Sequence, residues 1–264
     1  MAETCRLKLW QDKVETEVEI SGSGQPLLYL HGPWGLAPDR SFIERLAAAN
    51  KVYAPRHPGT TRGDPNAAHA INTLWDLIVY YEELMDGLGL ESVALAGHSF
   101  GGLVAAEIAA NAPARVRRLV LIDPVGLWRD DHPVQNWMIL PDASRPKALF
   151  ADPAGDAAKR FFALPEDKDA RTQAIVAFVW AQACTGKYIW PIPDKGLKHR
   201  IHRISAPTLV LWGKEDAIAA QDYAGEFAAR IKGARVEFVD RAGHLPHLEQ
   251  GERAAALVRS FLAG

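Results

Sequence analysis

Hydrophobic and polar residues first alternate one by one along the chain. Arg6–Gln11 and Val14–Ile20 read this way, and the turn Ser21-Gly22-Ser23-Gly24 closes them off. Alternation puts every second side chain on one sheet face, so these segments predict an antiparallel pair with one face in water. The pattern then changes to short unbroken apolar runs. Pro26–Leu30, Val52–Pro55 and Ser92–Ala96 carry the mark of strands buried on both faces. Further strand runs follow at Arg118–Ile122, Pro207–Trp212 and Arg235–Val239.

Helical periodicity lies between several of these runs. In Thr73–Leu88, the residues Leu74, Leu77, Ile78, Tyr81, Leu84, Met85 and Leu88 recur at helical spacing. Thr73 followed three residues later by Asp76 is a capping-box-like start, and Gly89 stands just past the end. A small-residue helix runs to about Asn111; Tyr223, Phe227 and Ile231 mark another, and Glu252–Leu262 a last one. Strands alternating with helices define an α/β protein, with a mostly parallel sheet covered by helices on both faces.

Residues 127–204 break that rhythm. No buried-strand run occurs there, prolines recur from Pro133 to Pro193, and helical stretches such as Gln173–Ala183 appear. Four of the eight tryptophans, Trp128, Trp137, Trp180 and Trp190, fall in this segment. It reads as a helical lid inserted between two core strands. The chain then divides into core residues 1–126, lid residues 127–204 and core residues 205–264.

Composition narrows the possibilities. Of 264 residues, 48% are hydrophobic and 23% charged, which excludes disordered, collagen-like and coiled-coil classes. Thirty Lys and Arg against 32 Asp and Glu give a net charge of −2. Nucleic acid and anionic membrane are therefore not the expected partners, since binding them needs an excess of clustered cations. Cys5 and Cys184 are far apart and match no metal or redox spacing. The opening Met1-Ala2-Glu3-Thr4-Cys5-Arg6 lacks the apolar run of a secretion signal, and no stretch of about 18 apolar residues occurs. A cytoplasmic, soluble protein is expected.

The candidate chemistry begins at Gly97-His98-Ser99-Phe100-Gly101-Gly102, which follows the strand run Ser92–Ala96 and opens a helix. Flanking glycines allow a tight strand-to-helix turn that holds Ser99 up at the strand's carboxyl end. There the helix N-terminus offers free backbone donors. The alternative is a plain serine cap beside a glycine turn. A serine hydroxyl needs a base, and the base needs an orienting acid. Asp216 follows the strand Pro207–Trp212, and His244 follows Arg235–Val239. Serine, aspartate and histidine thus each follow a separate strand and converge at one sheet edge, where open α/β folds bind ligands.

These residues and their order resemble an α/β-hydrolase-fold serine hydrolase of the lidded esterase type, over essentially the whole chain. The resemblance implies that Ser99 is the nucleophile, His244 the general base and then acid, and Asp216 the orienter. It also implies that His31-Gly32-Pro33-Trp34-Gly35 is the first oxyanion-hole segment, and it aligns His57-Pro58-Gly59 with the loop after the next core strand. Phe100 and Trp34 are the expected amide donors of the hole, because Pro33, at the usual donor position, has no N–H. A sibling class cleaves carbon–carbon bonds in ring-fission products. It carries Asn before the nucleophile and Trp after the catalytic histidine, where this chain has His98 and Leu245. Carboxylic-ester hydrolysis without cofactor or metal is the expected activity, with carbon–carbon bond hydrolysis as the alternative. A catalytically silent small-molecule receptor is a reading from a different class.

Other residues compete for these roles. Glu215 adjoins Asp216, and Asp123 follows the strand Arg118–Ile122 as a reserve acid. His247 stands three residues after His244 and is expected to pack at the start of the last helix. His199 and His202 have i, i+3 spacing but no third metal ligand in evidence. Lys195, Lys198, His199, Arg200, His202 and Arg203 read as a solvated hinge. The expected substrate contacts are His31, Trp128, Trp137, Trp180 and Leu245, with Phe161, Phe162 and Trp190 as further lid aromatics, since ligand pockets are mostly apolar and aromatic.

Overall fold

In a computed structural model, which describes residues 3–61 and 63–264, eight strands form one sheet in the order β1-β2-β4-β3-β5-β6-β7-β8. The expectation drawn for Met1 and Ala2 lies outside the described residues. β1 (Glu3–Leu9) and β2 (Val14–Ser21) pair antiparallel, with Leu9 opposite Val14. β3 (Gln25–Leu30), β4 (Asn50–Pro55), β5 (Val93–His98), β6 (Val116–Ile122), β7 (Thr208–Gly213) and β8 (Arg235–Val239) run parallel to one another, and β2 joins β4 antiparallel. The unbroken apolar runs are the central strands. Their side chains alternate between two separate cores: Leu28 and Leu30 face one, Leu27 and Tyr29 the other.

The helices are α1 (Arg40–Ala47), α2 (Ala67–Ala70), α3 (Leu74–Gly87), α4 (Phe100–Asn111), α5 (Arg145–Leu149), α6 (Asp156–Phe162) and α7 (Lys168–Ile189), then α8 (Leu197–Arg200), α9 (Asp222–Arg230), α10 (Pro246–Glu249) and α11 (Gly251–Ala263). Leu77 of α3, Val104 of α4 and Phe227 of α9 share the core of Leu28 and Leu30, whereas Phe42 of α1 and Val258 of α11 share that of Leu27 and Tyr29. Helices therefore cover both faces. α3 starts at a capping box in which the Asp76 amide donates to Thr73 Oγ1 and the Thr73 amide donates back to the Asp76 carboxylate. α1 has no sequence expectation behind it; eight residues give barely one repeat of the apolar spacing, and its Phe42, Ile43 and Leu46 show their common face only once packed.

Between β6 and β7 the described residues form α5–α8 and turns, with no strand. The helical stretch Gln173–Ala183 is the middle of α7, which spans 22 residues and is capped by Asp167 accepting from the Ala170 amide. Among the described residues, no helix is long and apolar enough to cross a membrane.

Candidate active site

The site is built at the carboxyl edge of β5, β7 and β8. Ser99 caps α4 with φ of 52°, a left-handed conformation that non-glycine residues adopt only when the surroundings hold them there. Those surroundings are tight. A Cβ on Gly97 would lie 2.2 Å from the Gly101 carbonyl oxygen, and one on Gly101 would lie 2.1 Å from that of Leu30. Only glycine lets the first turn of α4 press against β3 and β5. The Ser99 amide donates to Ile122 of β6 at 2.9 Å, pinning the turn from the other side.

Asp216 sits in the turn after β7, where its Oδ1 accepts from the Ile218 and Ala219 amides at 2.8 and 3.0 Å. Its Oδ2 is 2.7 Å from Nδ1 of His244, in the loop after β8. With the Nδ1 proton donated there, Nε2 of His244 accepts from Ser99 Oγ–H at 2.8 Å. Ser99, Asp216 and His244 are all buried. A hydroxyl, an imidazole and a carboxylate in one hydrogen-bonded line can move a proton from oxygen to nitrogen while the acid holds the imidazole's tautomer.

The rival residues are engaged elsewhere. Glu215 accepts from the Ala242 amide at 3.0 Å and so ties the β7 turn to the His244 loop. Asp123 accepts from the Gly213 amide at 2.9 Å through Oδ1 and lies beside Asp216. Burial, with the Asp216 charge adding to it, pushes the Asp123 carboxyl well above the usual carboxylate range. His247, on α10, is buried against Asp39, with Nε2 3.0 Å from Oδ1.

Comparison with known proteins gives the same fold a wider setting. The Alpha/beta hydrolase family matches residues 27–257. The chain belongs to that family. It is 29% identical to a pimeloyl-[acyl-carrier protein] methyl ester esterase of Aromatoleum aromaticum, over 90% of this chain and 98% of that one. It is 28% identical to a 2-hydroxymuconate semialdehyde hydrolase of Pseudomonas sp. (strain CF600), over 95% and 91% of the two chains. The structure of carboxylesterase CesB (YbfK) from Bacillus subtilis superposes with a TM-score of 0.74 at 25% identity, covering 99% of this chain and 92% of that one.

In this alpha/beta hydrolase the loop after β3 brings Trp34 to the site. Its indole meets His244 edge-on with centroids 6.0 Å apart, lies 6.0 Å from His98, and reaches Trp137 and Phe161 of the segment between β6 and β7 at 5.9 and 5.8 Å. Trp137 stacks 6.4 Å from His244 and touches Trp190 at 4.9 Å. Phe100 is the first residue of α4, so its amide has no acceptor within the helix. Leu245 is buried in the same core as Trp34 and Trp137. The other two tryptophans named from the sequence point elsewhere. Trp128 is half-buried and donates to Asp130 on the surface, and Trp180 donates to the Gly59 carbonyl at 2.8 Å.

His31 and His57 support the loop rather than line up with Ser99 and His244. His31 Nδ1 bonds the Gly32 carbonyl at 2.7 Å; His57 Nε2 bonds the His31 carbonyl at 2.8 Å, and its Nδ1 bonds the Tyr81 hydroxyl. Burial pushes His31 down to about 4 and His57 further below its ordinary value, so both rings are neutral supports. A second buried network had no sequence signal. Tyr29 donates to Asp39 at 2.9 Å, Asp39 meets His247, the His247 and His98 rings lie 4.2 Å apart, and His98 Nε2 donates to the His244 carbonyl at 2.8 Å. Asp39 sits in a turn beside Pro38, and nothing in that local pattern marks it.

The basic stretch at the end of the segment is not uniformly solvated. His199, His202 and Arg203 are exposed, but Arg200 grips the buried Glu107 of α4 at 2.9 and 2.5 Å. Arg200 is drawn inward because Glu107 is buried on α4 and needs a charged partner.

Proposed function

We propose that this hydrolase cleaves carboxylic esters through an acyl-enzyme. The observation that carries the reading is the line from Ser99 Oγ through His244 to Asp216, held on a strained turn at a helix N-terminus. Ser99 Oγ attacks the ester carbonyl carbon as its proton passes to His244 Nε2. The carbonyl oxygen becomes an oxyanion beside the Phe100 and Trp34 amides, a stabilisation whose loss of one donor typically costs about 3–4 kcal/mol. Collapse breaks the bond to the alcohol oxygen, which takes the proton from His244. Water then attacks the acyl-Ser99 carbonyl, gives its proton to His244, and the acid leaves as the proton returns to Ser99 Oγ. Asp216 holds the imidazole through Nδ1 and stabilises the imidazolium that forms.

The segment 127–204 serves as the lid in this reading, and its aromatic inner side supports an apolar acyl site. p-Nitrophenyl esters from acetate to octanoate test the proposal. Turnover that rises with acyl length, since each buried methylene adds about 0.8 kcal/mol, and that vanishes in Ser99→Ala is the expected result. A flat response contradicts an enclosed acyl site, and no turnover of any ester removes the reading. The similarity to 2-hydroxymuconate semialdehyde hydrolase favours a second reading, carbon–carbon bond hydrolysis by the same residues. His98 and Leu245, at the positions where that class carries Asn and Trp, weigh against it. Turnover of a ring-fission product faster than of any ester would decide for it.

A further inference from the structure

Two indole N–H groups beside His244, and a third one ring further out, have no acceptor among the described residues. Among the described residues, Nε1 of Trp34, of Trp137 and of Trp190 is buried and without a hydrogen-bond partner. Trp34 and Trp137 are themselves almost wholly inaccessible, at 5% and 0% exposure. Three other tryptophans have their donors met: Trp128, Trp180 and Trp212 donate to Asp130, Gly59 and Ala219. The buried unpaired indole donors among the described residues thus fall in one contact series that reaches His244. A buried N–H left unpaired is costly, and tryptophan is normally placed where its donor is met.

The three indoles belong to two parts of the chain. Trp34 follows β3, whereas Trp137 and Trp190 come from the segment between β6 and β7. They form one contact series, 5.9 Å from Trp34 to Trp137 and 4.9 Å from Trp137 to Trp190. The first two rings also touch His244. A substrate held at Ser99 beside His244 therefore lies next to the Trp34 and Trp137 rings, which pack 6.0 and 6.4 Å from the His244 ring, with Trp190 behind Trp137. We infer that the acyl part of the substrate carries a neutral oxygen acceptor, such as a keto, ether or amide oxygen, which takes the indole N–H groups of Trp34, Trp137 and Trp190. The inference rests on the ester reading and adds the substrate class. A carboxylate fits less well, because the rings packed on Trp34 are His98, Trp137, Phe161 and His244, and burying a full charge among them without a fixed cation is unfavourable.

The test compares three p-nitrophenyl esters of matched length: hexanoate, 5-oxohexanoate and the mono-ester of glutaric acid. Rates are taken as kcat/KM and divided by each ester's hydroxide-catalysed rate, which removes intrinsic reactivity. The keto ester is expected to be preferred over hexanoate by about ten-fold, equivalent to 1.4 kcal/mol. In Trp137→Phe and Trp190→Phe that ratio should fall toward one. Because it is a ratio within one protein, a general loss of activity cancels, and the wild-type ratio stands even if a variant fails to fold. Equal rates for the keto ester and hexanoate in wild type overturn the inference while leaving the ester reading intact. A glutarate preference, or a keto preference unchanged in both folded variants, overturns it as well. If none of the three is hydrolysed, the ester reading itself fails and takes this inference with it.

Discussion

Asp123 and Asp216 approach each other behind His244, one at the end of β6 and the other in the turn after β7, with carboxylate oxygens within 4.8 Å of one another and of an imidazole nitrogen. Two buried carboxylates at this range do not both ionise readily. Asp216 has two amide donors and the imidazole, whereas Asp123 has one amide, so the proton belongs on Asp123.

Asp123→Asn should therefore mimic the native protonated acid and keep activity within about three-fold, whereas Asp216→Asn should lose about a thousand-fold or more, as when a triad acid no longer fixes the tautomer. The raised Asp123 value also sets a stability slope. The folded state keeps this proton at pH values where the unfolded chain releases it, above about 3.9, so stability falls with rising pH by up to about 1.4 kcal/mol per unit until the folded value is reached. Urea midpoints of wild type and Asp123→Asn from pH 6 to 9 check this: the variant should be flatter. The reverse ranking of the two variants in activity would move the acid role to Asp123.

Ser99→Ala and His244→Ala should each abolish turnover, and the double variant should lose little more, because the residues act as a unit. Circular dichroism should show both folded. Residual activity above about a thousandth of wild type in Ser99→Ala would put the nucleophile elsewhere.

Acid sensitivity should come from the buried histidines. His31, His57 and His98 are held neutral in the fold, chiefly by burial, with His31 down to about 4. The unfolded chain takes up their protons below about pH 6.5, so stability present above that value is lost as pH falls toward the folded values. Three such groups outweigh the opposite slopes of the two raised carboxyls, Asp123 and Glu249. Urea midpoints should drop steeply between pH 6.5 and 4.5, and a flat profile there would show that the rings are protonated in the fold.

Pro33→Gly tests the donor arrangement of the loop after β3. If the Trp34 amide serves the oxyanion, restoring an N–H at position 33 should change the rate by less than ten-fold. A gain of ten-fold or more, worth about 1.4 kcal/mol, would show that the native loop supplies no donor.

What the chain alone determined follows from local rules. Alternation and apolar runs marked all eight strands, since period and burial are written residue by residue. The turn at Ser99 was legible because Gly97 and Gly101 stand where any Cβ would strike backbone. The order of Ser99, Asp216 and His244, each after a separate parallel strand, placed them at one edge, since parallel strands present their carboxyl ends together.

Tertiary structure decided the rest, and in each case the partners are distant in sequence. Asp216, Glu215 and Asp123 are equivalent as strand-end carboxylates; only packing turns Glu215 to the Ala242 amide and Asp216 to His244. Asp39 and His247 are 208 residues apart, and their contact has no local pattern to announce it. The aromatic contacts of Trp34 likewise depend on how the segment between β6 and β7 settles over the sheet, which is why Trp137 meets His244 while Trp128 and Trp180 find acceptors elsewhere. Periodicity tells which side of an element is buried, but the partner a buried side chain meets is set by long-range packing.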